Sequence, residues 1–275
     1  MFLWRNRLWQ SLVVLLLLCV ACSQPAAPTP APETLTAVPS IPTSTPEPTL
    51  EPESDEAGES GARVPYLDTT LPIEERIDDL LGRMSLEEKI GQMTLVEKGS
   101  ISAQDVTRFH IGAILSGGGG GPAGDNSAEG WLEMVNTFQQ AAQETELQIP
   151  LLYGVDAVHG HNNVTGAVIF PHNIGLGATR NPELIAEIAR ITAVETIATG
   201  IHWDYAPVLA VPRDIRWGRA YEGYAENTEL VSELATAFLI GLQGTEGVTD
   251  LDHPETILGT PKHFVGDGGT AKTGA

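Results

Sequence analysis

Apolar and polar residues follow one another in blocks along the chain, and these blocks predict strands and helices in turn. Apolar residues recur at helical spacing from Ile73 to Met84, and Ser85 with Glu88 forms the start signal of a second, short helix. Compact apolar runs predict strands over residues 91–97, 111–116, 150–156, 201–209 and 257–264, and amphipathic runs predict helices over residues 126–145, 181–199 and 226–241. Strands that alternate with helices predict an α/β fold with a parallel sheet.

Polar residues follow three of these predicted strands. Residues 151–170 read LLYGVDAVHGHNNVTGAVIF, so a buried strand runs into Asp156 and then into a loop of Gly, His and Asn. Residues 202–219 and 257–270 repeat this order, and they contain Arg219, Lys262 and His263. Because the carboxyl ends of parallel strands meet on one side of a sheet or barrel, these side chains are expected at one site.

The start of the chain has the pattern of a secretory signal. Arg5 and Arg7 precede an apolar run, residues 12–20, that is too short to span a bilayer comfortably. The run ends in CVACS, which resembles a bacterial lipobox in which Cys22 becomes the lipid-modified N-terminus, although Cys19 stands where Leu is usual. A plain signal peptide with an incidental cysteine is the alternative interpretation.

Residues 23–62 are dominated by Pro, Thr, Ser, Ala and Glu, a composition that cannot bury enough apolar surface to fold. The repeated X-Pro steps favour an extended spacer. We therefore predict a lipoprotein signal peptide over residues 1–22, a disordered linker over 23–62 and a folded domain over 63–275. This order predicts an extracytoplasmic protein of a bacterium that a lipid anchor holds at its membrane.

Charge and composition exclude several classes of function. The formal net charge of −21 and the pI of about 4.5 argue against a nucleic-acid partner, because the chain would repel a phosphate backbone. Both cysteines, Cys19 and Cys22, precede the linker, so the predicted domain has no thiol for disulfides, zinc or nucleophilic catalysis. The glycines at 117–121 lack the GK[ST] ending of a P-loop, and no Rossmann fingerprint is present, so no cofactor is expected. This glycine run predicts either a flexible loop or a loop whose backbone closely approaches a ligand.

The polar residues after the strands suit a polyhydroxylated ligand. A carboxylate such as Asp156 accepts two hydrogen bonds side by side, and the Arg219 guanidinium donates two in a fixed fork. Lys262 and His263 add further donors, so the four side chains together match the hydroxyl groups of a sugar. Each of them alone is more commonly a loop cap or an ion pair, and only their combination predicts a site.

Two histidines, His159 and His161, flank Gly160 in the manner of metal ligands. Their loop is rich in Asn and contains no acidic third ligand, which favours a hydrogen-bonded scaffold over a metal centre. No metal is therefore expected at this site.

Five segments carry a resemblance to a known family. They read MSLEEKIGQMT (84–94), GVDAVHGHNNVTGAVIFPHNIGLGATRNPEL (154–184), YAPVLAVPRDIRWGRAYEGYAE (205–226), GLQG (241–244) and KHFVGDGGT (262–270). The sequence is similar to family 3 of the glycoside hydrolases, the β-glucosidases and exo-β-glucanases. This resemblance implies a (β/α)8 TIM-type barrel and a retaining mechanism with an Asp nucleophile and a Glu acid/base.

The resemblance also implies roles for single residues. Asp156, Arg219, Lys262 and His263 would bind the non-reducing-end glucosyl unit, whereas His159, Glu222 and Asp267 would support the site. Glu222 and Glu226 lie on neighbouring turns, but the resemblance gives them no acid/base role, and we expect Glu222 to orient Arg219.

About five of the eight barrel strands can be counted before the end of the given sequence, and neither catalytic carboxyl matches a residue within it. The nucleophile and the acid/base are therefore expected beyond Ala275, and the 275 residues alone are expected to be inactive.

The expected function is the hydrolysis of terminal β-D-glucosyl residues from β-glucosides or β-glucan oligosaccharides. A β-xylosidase of the same family is the alternative among enzymes. A non-catalytic sugar-binding lipoprotein and a structural surface lipoprotein are alternatives of other classes. The segment VGDGG, which stands where the β-hexosaminidase branch has PGHG, favours the glucosidase branch.

Overall fold

The computed structural model describes residues 64–245 and 251–269 of the chain. The predicted signal peptide with Cys22 and the predicted linker over residues 23–62 lie outside the described residues. They therefore stay predictions, as do the domain boundaries.

Five strands of the described chain form one parallel sheet, ordered as they occur in the sequence. They are β1 (Leu95–Glu97), β2 (Ala113–Ser116), β3 (Leu152–Val155), β4 (Trp203–Asp204) and β5 (Leu258–Gly259). Strands that pair in chain order, with helices between them, have the arrangement of successive units in a (β/α)8 barrel. The predicted α/β class and parallel sheet are confirmed.

Seven α-helices accompany this sheet in the described part of the chain. They are α1 (Ile73–Arg83), α2 (Leu86–Gln92), α3 (Ala103–Phe109), α4 (Ala128–Gln143), α5 (Asn173–Thr179), α6 (Pro182–Ile197) and α7 (Thr228–Gln243). Short 3-10 helices occur at Pro65–Leu67, Lys98–Ser100 and Ala220–Glu222. The helices α3 and α5 were not predicted, because seven residues are too few for a clear apolar period.

Local signals fix the starts of two predicted helices. At α2, the Ser85 side chain accepts a hydrogen bond from the Glu88 N–H and the Glu88 side chain accepts one from the Ser85 N–H, which completes the predicted capping box. At α6, the Asn181 side chain accepts from the Leu184 N–H, and Pro182 occupies the first helical position. Among the described residues, no helix is both long enough and apolar enough to cross a membrane.

Two strands are much shorter than predicted. Strand β4 covers two residues of the predicted 201–209, and β5 covers two of the predicted 257–264. The regular ladder between them ends at Asp204 and Gly259, and beyond that point a separate bridge joins Val208 to Lys262. At this bridge the Lys262 N–H donates to the Pro207 carbonyl and the Leu209 N–H donates to the Lys262 carbonyl. The predicted strand over residues 91–97 is also shorter, because Gly91 and Gln92 belong to α2.

The helices bury two apolar clusters beside the sheet. One combines residues of α5, α6 and α7, among them Ile185, Leu234 and Phe238. The other combines β2 and β3 with α4, and includes Trp131 and Val155. The burial of this apolar surface stabilises the frame from which the strand ends project.

Candidate active site

Asp156 and Lys262 form an ion pair at the carboxyl ends of two strands. Asp156 directly follows β3, and Lys262 lies three residues beyond the end of β5. The Lys262 Nζ atom contacts the Asp156 Oδ1 atom, and the exposed fractions of the two side chains are 16% and 28%. Partial burial strengthens their attraction relative to an ion pair in water.

The backbone holds Lys262 on both sides. Its N–H donates to the Pro207 carbonyl, and its carbonyl accepts from the Leu209 N–H. Both partners lie in the segment that follows β4, so the resumed pairing after Pro207 fixes the position from which the ammonium group reaches Asp156.

Arg219 and Glu222 form a second ion pair, in the loop after β4. The Arg219 Nε and Nη2 atoms donate to the two Glu222 carboxylate oxygens at 2.7 and 2.6 Å. Burial works to raise the pKa of Glu222, but the bonds and the charge of Arg219 lower it overall. Within the described residues, the Arg219 Nη1 group makes no hydrogen bond, which leaves the other edge of the guanidinium for a ligand.

His263 joins Arg219 to Asp267. Its Nε2 atom lies 3.3 Å from the Arg219 Nη2 atom, and its Nδ1 atom lies 2.7 Å from the Asp267 Oδ2 atom. Because a guanidinium group has only donors, Nε2 must accept, and therefore Nδ1 carries the proton that it donates to Asp267. The geometry thus assigns the Nδ1–H tautomer to His263.

The structure therefore brings the four predicted binding residues together. Lys262 contacts Asp156, and His263 contacts Arg219. Because Lys262 and His263 are adjacent in the chain, the two contacts lie side by side. A cleft of about 600 Å³ lies beside them and is lined in part by Lys262, His263 and Asp267. The roles of these residues in binding stay predictions.

Gly117 lies beside Asp156. A Cβ atom at Gly117 would lie 3.9 Å from the Asp156 Oδ2 atom, so the start of the glycine run is close to the carboxylate. This position suits the prediction of a loop whose backbone approaches a ligand.

The two histidines that flank Gly160 occupy different surroundings. The His159 Nδ1 atom lies 2.8 Å from the Phe170 carbonyl oxygen, and its ring packs on His172 at a centroid distance of 4.0 Å. His161 is fully buried with its Nε2 atom 3.0 Å from the Thr199 hydroxyl, and burial lowers its pKa to about 4. In residues 64–245 and 251–269, no group of three or more His, Cys, Asp or Glu side chains is placed to hold a metal ion.

Helix α5 supports the loop that carries Glu222, which the sequence did not predict. The Asn173 Nδ2 atom donates to the Glu222 carbonyl at 2.8 Å. Gly177 packs directly on the same loop, since a Cβ atom there would lie 1.7 Å from the Tyr224 carbonyl oxygen. In the sequence, residues 173–177 combine glycines with a polar residue. This pattern alone does not indicate that the segment packs against the loop that carries Glu222.

Asp204 is the other site residue that sequence reasoning missed. It ends β4, is fully buried, and its Oδ1 atom accepts a hydrogen bond of 2.9 Å from the Ala157 N–H. Burial raises its pKa to about 8, although the Ala157 N–H and the charge of Lys262 oppose that rise. The signal was present in the segment HWDYAP, where a carboxylate interrupts an otherwise apolar and aromatic run.

The fold and the site together define an α/β protein with acidic, basic and imidazole groups beside a cleft at the carboxyl ends of a parallel sheet. The sequence model described as the Glycosyl hydrolase family 3 N terminal domain matches residues 85–275. The chain belongs to glycoside hydrolase family 3, which confirms the resemblance seen in its sequence.

Three similar proteins illustrate this membership. A lysosomal beta glucosidase of Dictyostelium discoideum is 38% identical in an alignment of 210 positions, which covers 69% of this chain and 25% of the relative. A periplasmic beta-glucosidase/beta-xylosidase of Dickeya chrysanthemi is 29% identical, and the alignment covers 76% of this chain and 34% of the relative. The crystal structure of an exo-1,3/1,4-beta-glucanase from a Pseudoalteromonas species aligns with a TM-score of 0.67 and 41% identity. The alignment covers 76% of this chain and 27% of the glucanase chain. The chain thus spans between about a quarter and a third of the length of these relatives.

Proposed function

We propose that the gene product, with any sequence that follows residue 275, hydrolyses terminal non-reducing β-D-glucosyl residues by a retaining mechanism. Asp156, Arg219, Lys262 and His263 bind the terminal glucosyl unit, and His159, Glu222 and Asp267 hold these groups in place. No cofactor or metal enters the proposed reaction. The names of the family relatives, a beta glucosidase and an exo-beta-glucanase among them, support this choice of substrate.

The observation that carries the proposal is the meeting of Asp156 with Lys262 and of Arg219 with His263 at one edge of the sheet. The Asp156 carboxylate has acceptor capacity beyond its contact with Lys262, and the Nη1 edge of Arg219 offers paired donors. Adjacent sugar hydroxyls both donate and accept, so they can bind both kinds of group at once.

The proposed roles concern recognition and not bond cleavage. Retaining hydrolysis needs two carboxyl groups about 5–5.5 Å apart, one to attack the anomeric carbon and one to protonate the leaving oxygen. Glu222 is engaged by Arg219 through both of its oxygens, which suits a positioning group better than either of these roles. The Asp nucleophile and the Glu acid/base stay expectations from the family resemblance.

A β-xylosidase is the second candidate, and the relative named beta-glucosidase/beta-xylosidase favours keeping it. Xylose lacks the hydroxymethyl group that glucose carries on C5, so the two activities differ in what the site contacts there. The ratio of kcat/KM for an aryl β-glucoside to that for an aryl β-xyloside separates them, and we expect it to exceed one.

For location, we propose an extracytoplasmic protein that a lipid on Cys22 anchors to the membrane. The expected signal peptide over residues 1–22 and the relative named periplasmic support the first part. The second part depends on the lipobox-like segment CVACS alone.

The test of the function is Asp156→Ala in the gene product, assayed on an aryl β-glucoside. Two charge-assisted hydrogen bonds to sugar hydroxyls are worth about 3–6 kcal/mol together, so kcat/KM is expected to fall at least about 100-fold. The matched control is Glu187→Ala, which removes a carboxylate from the exposed ion pair with Arg190 on α6. This control should keep the wild-type kcat/KM.

Two results would contradict the proposal. An active wild type whose Asp156→Ala variant keeps kcat/KM within about threefold would remove Asp156 from the binding site. A wild type that binds glucose but cleaves neither glycoside would instead favour the sugar-binding lipoprotein.

A further inference from the structure

Asp204 is the last residue of β4, and its side chain is fully buried. Val155 and Asp204 are register partners, as are Gly154 and Trp203. Side chains alternate across a sheet, so Asp204 lies on the face of Val155, whereas Asp156 follows on the face of Gly154. The carboxyl group of Asp204 is thus on the opposite face from that of Asp156, and it is completely buried.

We propose that Asp204 is a positioning residue that holds Asp156 in its binding geometry and whose ionisation weakens substrate binding. The proposal rests on the proposed function, because it assigns Asp156 to the sugar site. Its first ground is the bond from the Ala157 N–H to the Asp204 Oδ1 atom at 2.9 Å. Ala157 follows Asp156 directly, so this bond fixes the peptide that carries the sugar-binding carboxylate.

The second ground is the unpaired oxygen of Asp204. Within the described residues its Oδ2 atom is buried and has no hydrogen-bond partner. A buried carboxylate with one unpaired oxygen is unfavourable, whereas a protonated carboxyl group places a neutral hydroxyl there. The geometry therefore favours an Asp204 that keeps its proton, whereas Asp156 lies nearer to solvent and pairs with Lys262.

The groups that act on Asp204 come from several elements. Asp156 after β3 disfavours its ionisation, and Lys262 after β5 favours it. Two phenols also interact electrostatically with Asp204. They belong to Tyr205, the next residue in the chain, and to Tyr224 in the loop before α7. Burial raises the pKa of both phenols above the usual range. Lys262 is the cation that acts on both carboxyl groups.

Ionisation of Asp204 changes this balance. A second carboxylate competes with Asp156 for Lys262, so the ion pair that orders Asp156 weakens. The KM for a β-glucoside is therefore expected to rise as the pH passes through about 8, where Asp204 loses its proton. A residue that only fills space would leave this pH profile unchanged.

The experiment compares Asp204→Ala and Asp204→Asn with the wild-type gene product on an aryl β-glucoside from pH 5 to 9.5. Alanine removes the acceptor for Ala157, and at pH 6 we expect it to raise KM at least tenfold with a smaller change in kcat. Asparagine keeps an acceptor and cannot ionise, so at pH 6 its KM should stay within about threefold of wild type. Above pH 8 its KM should stay flat while that of the wild type rises.

Controls separate this inference from the proposed function. The variant Asp125→Asn changes an exposed loop carboxylate and should keep the wild-type pH profile. Circular dichroism and thermal melting at pH 6 check the fold, and the Asn variant still tests the inference if the Ala variant does not fold. Wild-type turnover with KM profiles that coincide for wild type and Asp204→Asn would overturn the inference. Absence of wild-type turnover and of glucose binding would overturn the proposed function itself.

Discussion

Gly177 is the position where a single methyl group should disturb the site from a distance. It lies in α5, and a Cβ atom there would lie 1.7 Å from the Tyr224 carbonyl oxygen and 2.6 Å from the Tyr224 carbonyl carbon. Ordinary contacts of this kind need more than 3 Å, so Gly177→Ala forces the helix and the loop apart by about 1.5 Å.

The expected size of the effect follows from two opposing contributions. Alanine is favoured over glycine within a helix by up to about 1 kcal/mol. Forcing a methyl group into a closely packed contact costs about 1–3 kcal/mol, and here the contact is with a backbone that cannot rotate away. The net free energy of unfolding should therefore fall by up to about 2 kcal/mol.

The matched control is Gly175→Ala in the same helix. Gly175 is exposed, and the nearest atom to an added Cβ would be the Pro171 Cβ at 3.4 Å, an ordinary contact. This variant should gain a few tenths to about 1 kcal/mol from helix propensity alone. Urea unfolding of both variants measures the difference, which we expect to be about 2 kcal/mol.

The loop displacement should also reach the site. Tyr224 lies two residues beyond Glu222, which orients Arg219. A shift of about 1 Å in a positioned group can cost up to about 100-fold in rate, and we expect kcat/KM on an aryl β-glucoside to fall about tenfold in Gly177→Ala. The reasoning would be refuted if Gly177→Ala unfolded at the same urea concentration as Gly175→Ala and kept the wild-type kcat/KM.

Two further predictions concern the Arg219 loop and the N-terminus. Glu222→Gln keeps the shape of the side chain but removes its charge, so Arg219 loses its two charge-assisted hydrogen bonds to the carboxylate and KM for a β-glucoside should rise about tenfold. Glu226→Gln is the control. Equal effects of the two variants would refute the role of Glu222 in orienting Arg219. Cys22→Ser should move the protein from the membrane fraction to the soluble fraction of the expressing bacterium, since acyl chains supply membrane affinity; an unchanged distribution would contradict the lipobox interpretation.

The parts of the fold with strong local signals were predictable from the sequence. The capping box at Ser85, the cap at Asn181 and the strand that runs into Asp156 all have a short-range cause, and each is present in the structure. The meeting of Asp156 and Lys262 was predictable as well, because chain direction alone places both at the carboxyl ends of parallel strands.

Other features depend on contacts between distant segments, and the sequence could not reveal them. Strands β4 and β5 end after two residues each and are followed by a separate bridge between Val208 and Lys262, a relation that needs the register. The support of Glu222 by Asn173 likewise joins residues 49 positions apart. The burial of Asp204 is set by elements that are distant in the chain, so the sequence alone indicates only a polar residue that interrupts a strand.

The backbone pairing on both sides of Lys262 has a consequence for the strength of binding. A lysine side chain loses up to about 2 kcal/mol of conformational entropy when it is immobilised. Here the pairing with the segment after β4 fixes the Lys262 backbone, and the contact with Asp156 holds its side chain before a ligand arrives. If Lys262 binds a sugar as proposed, the ligand does not have to supply that entropy, so more of its hydrogen-bond energy is available as affinity.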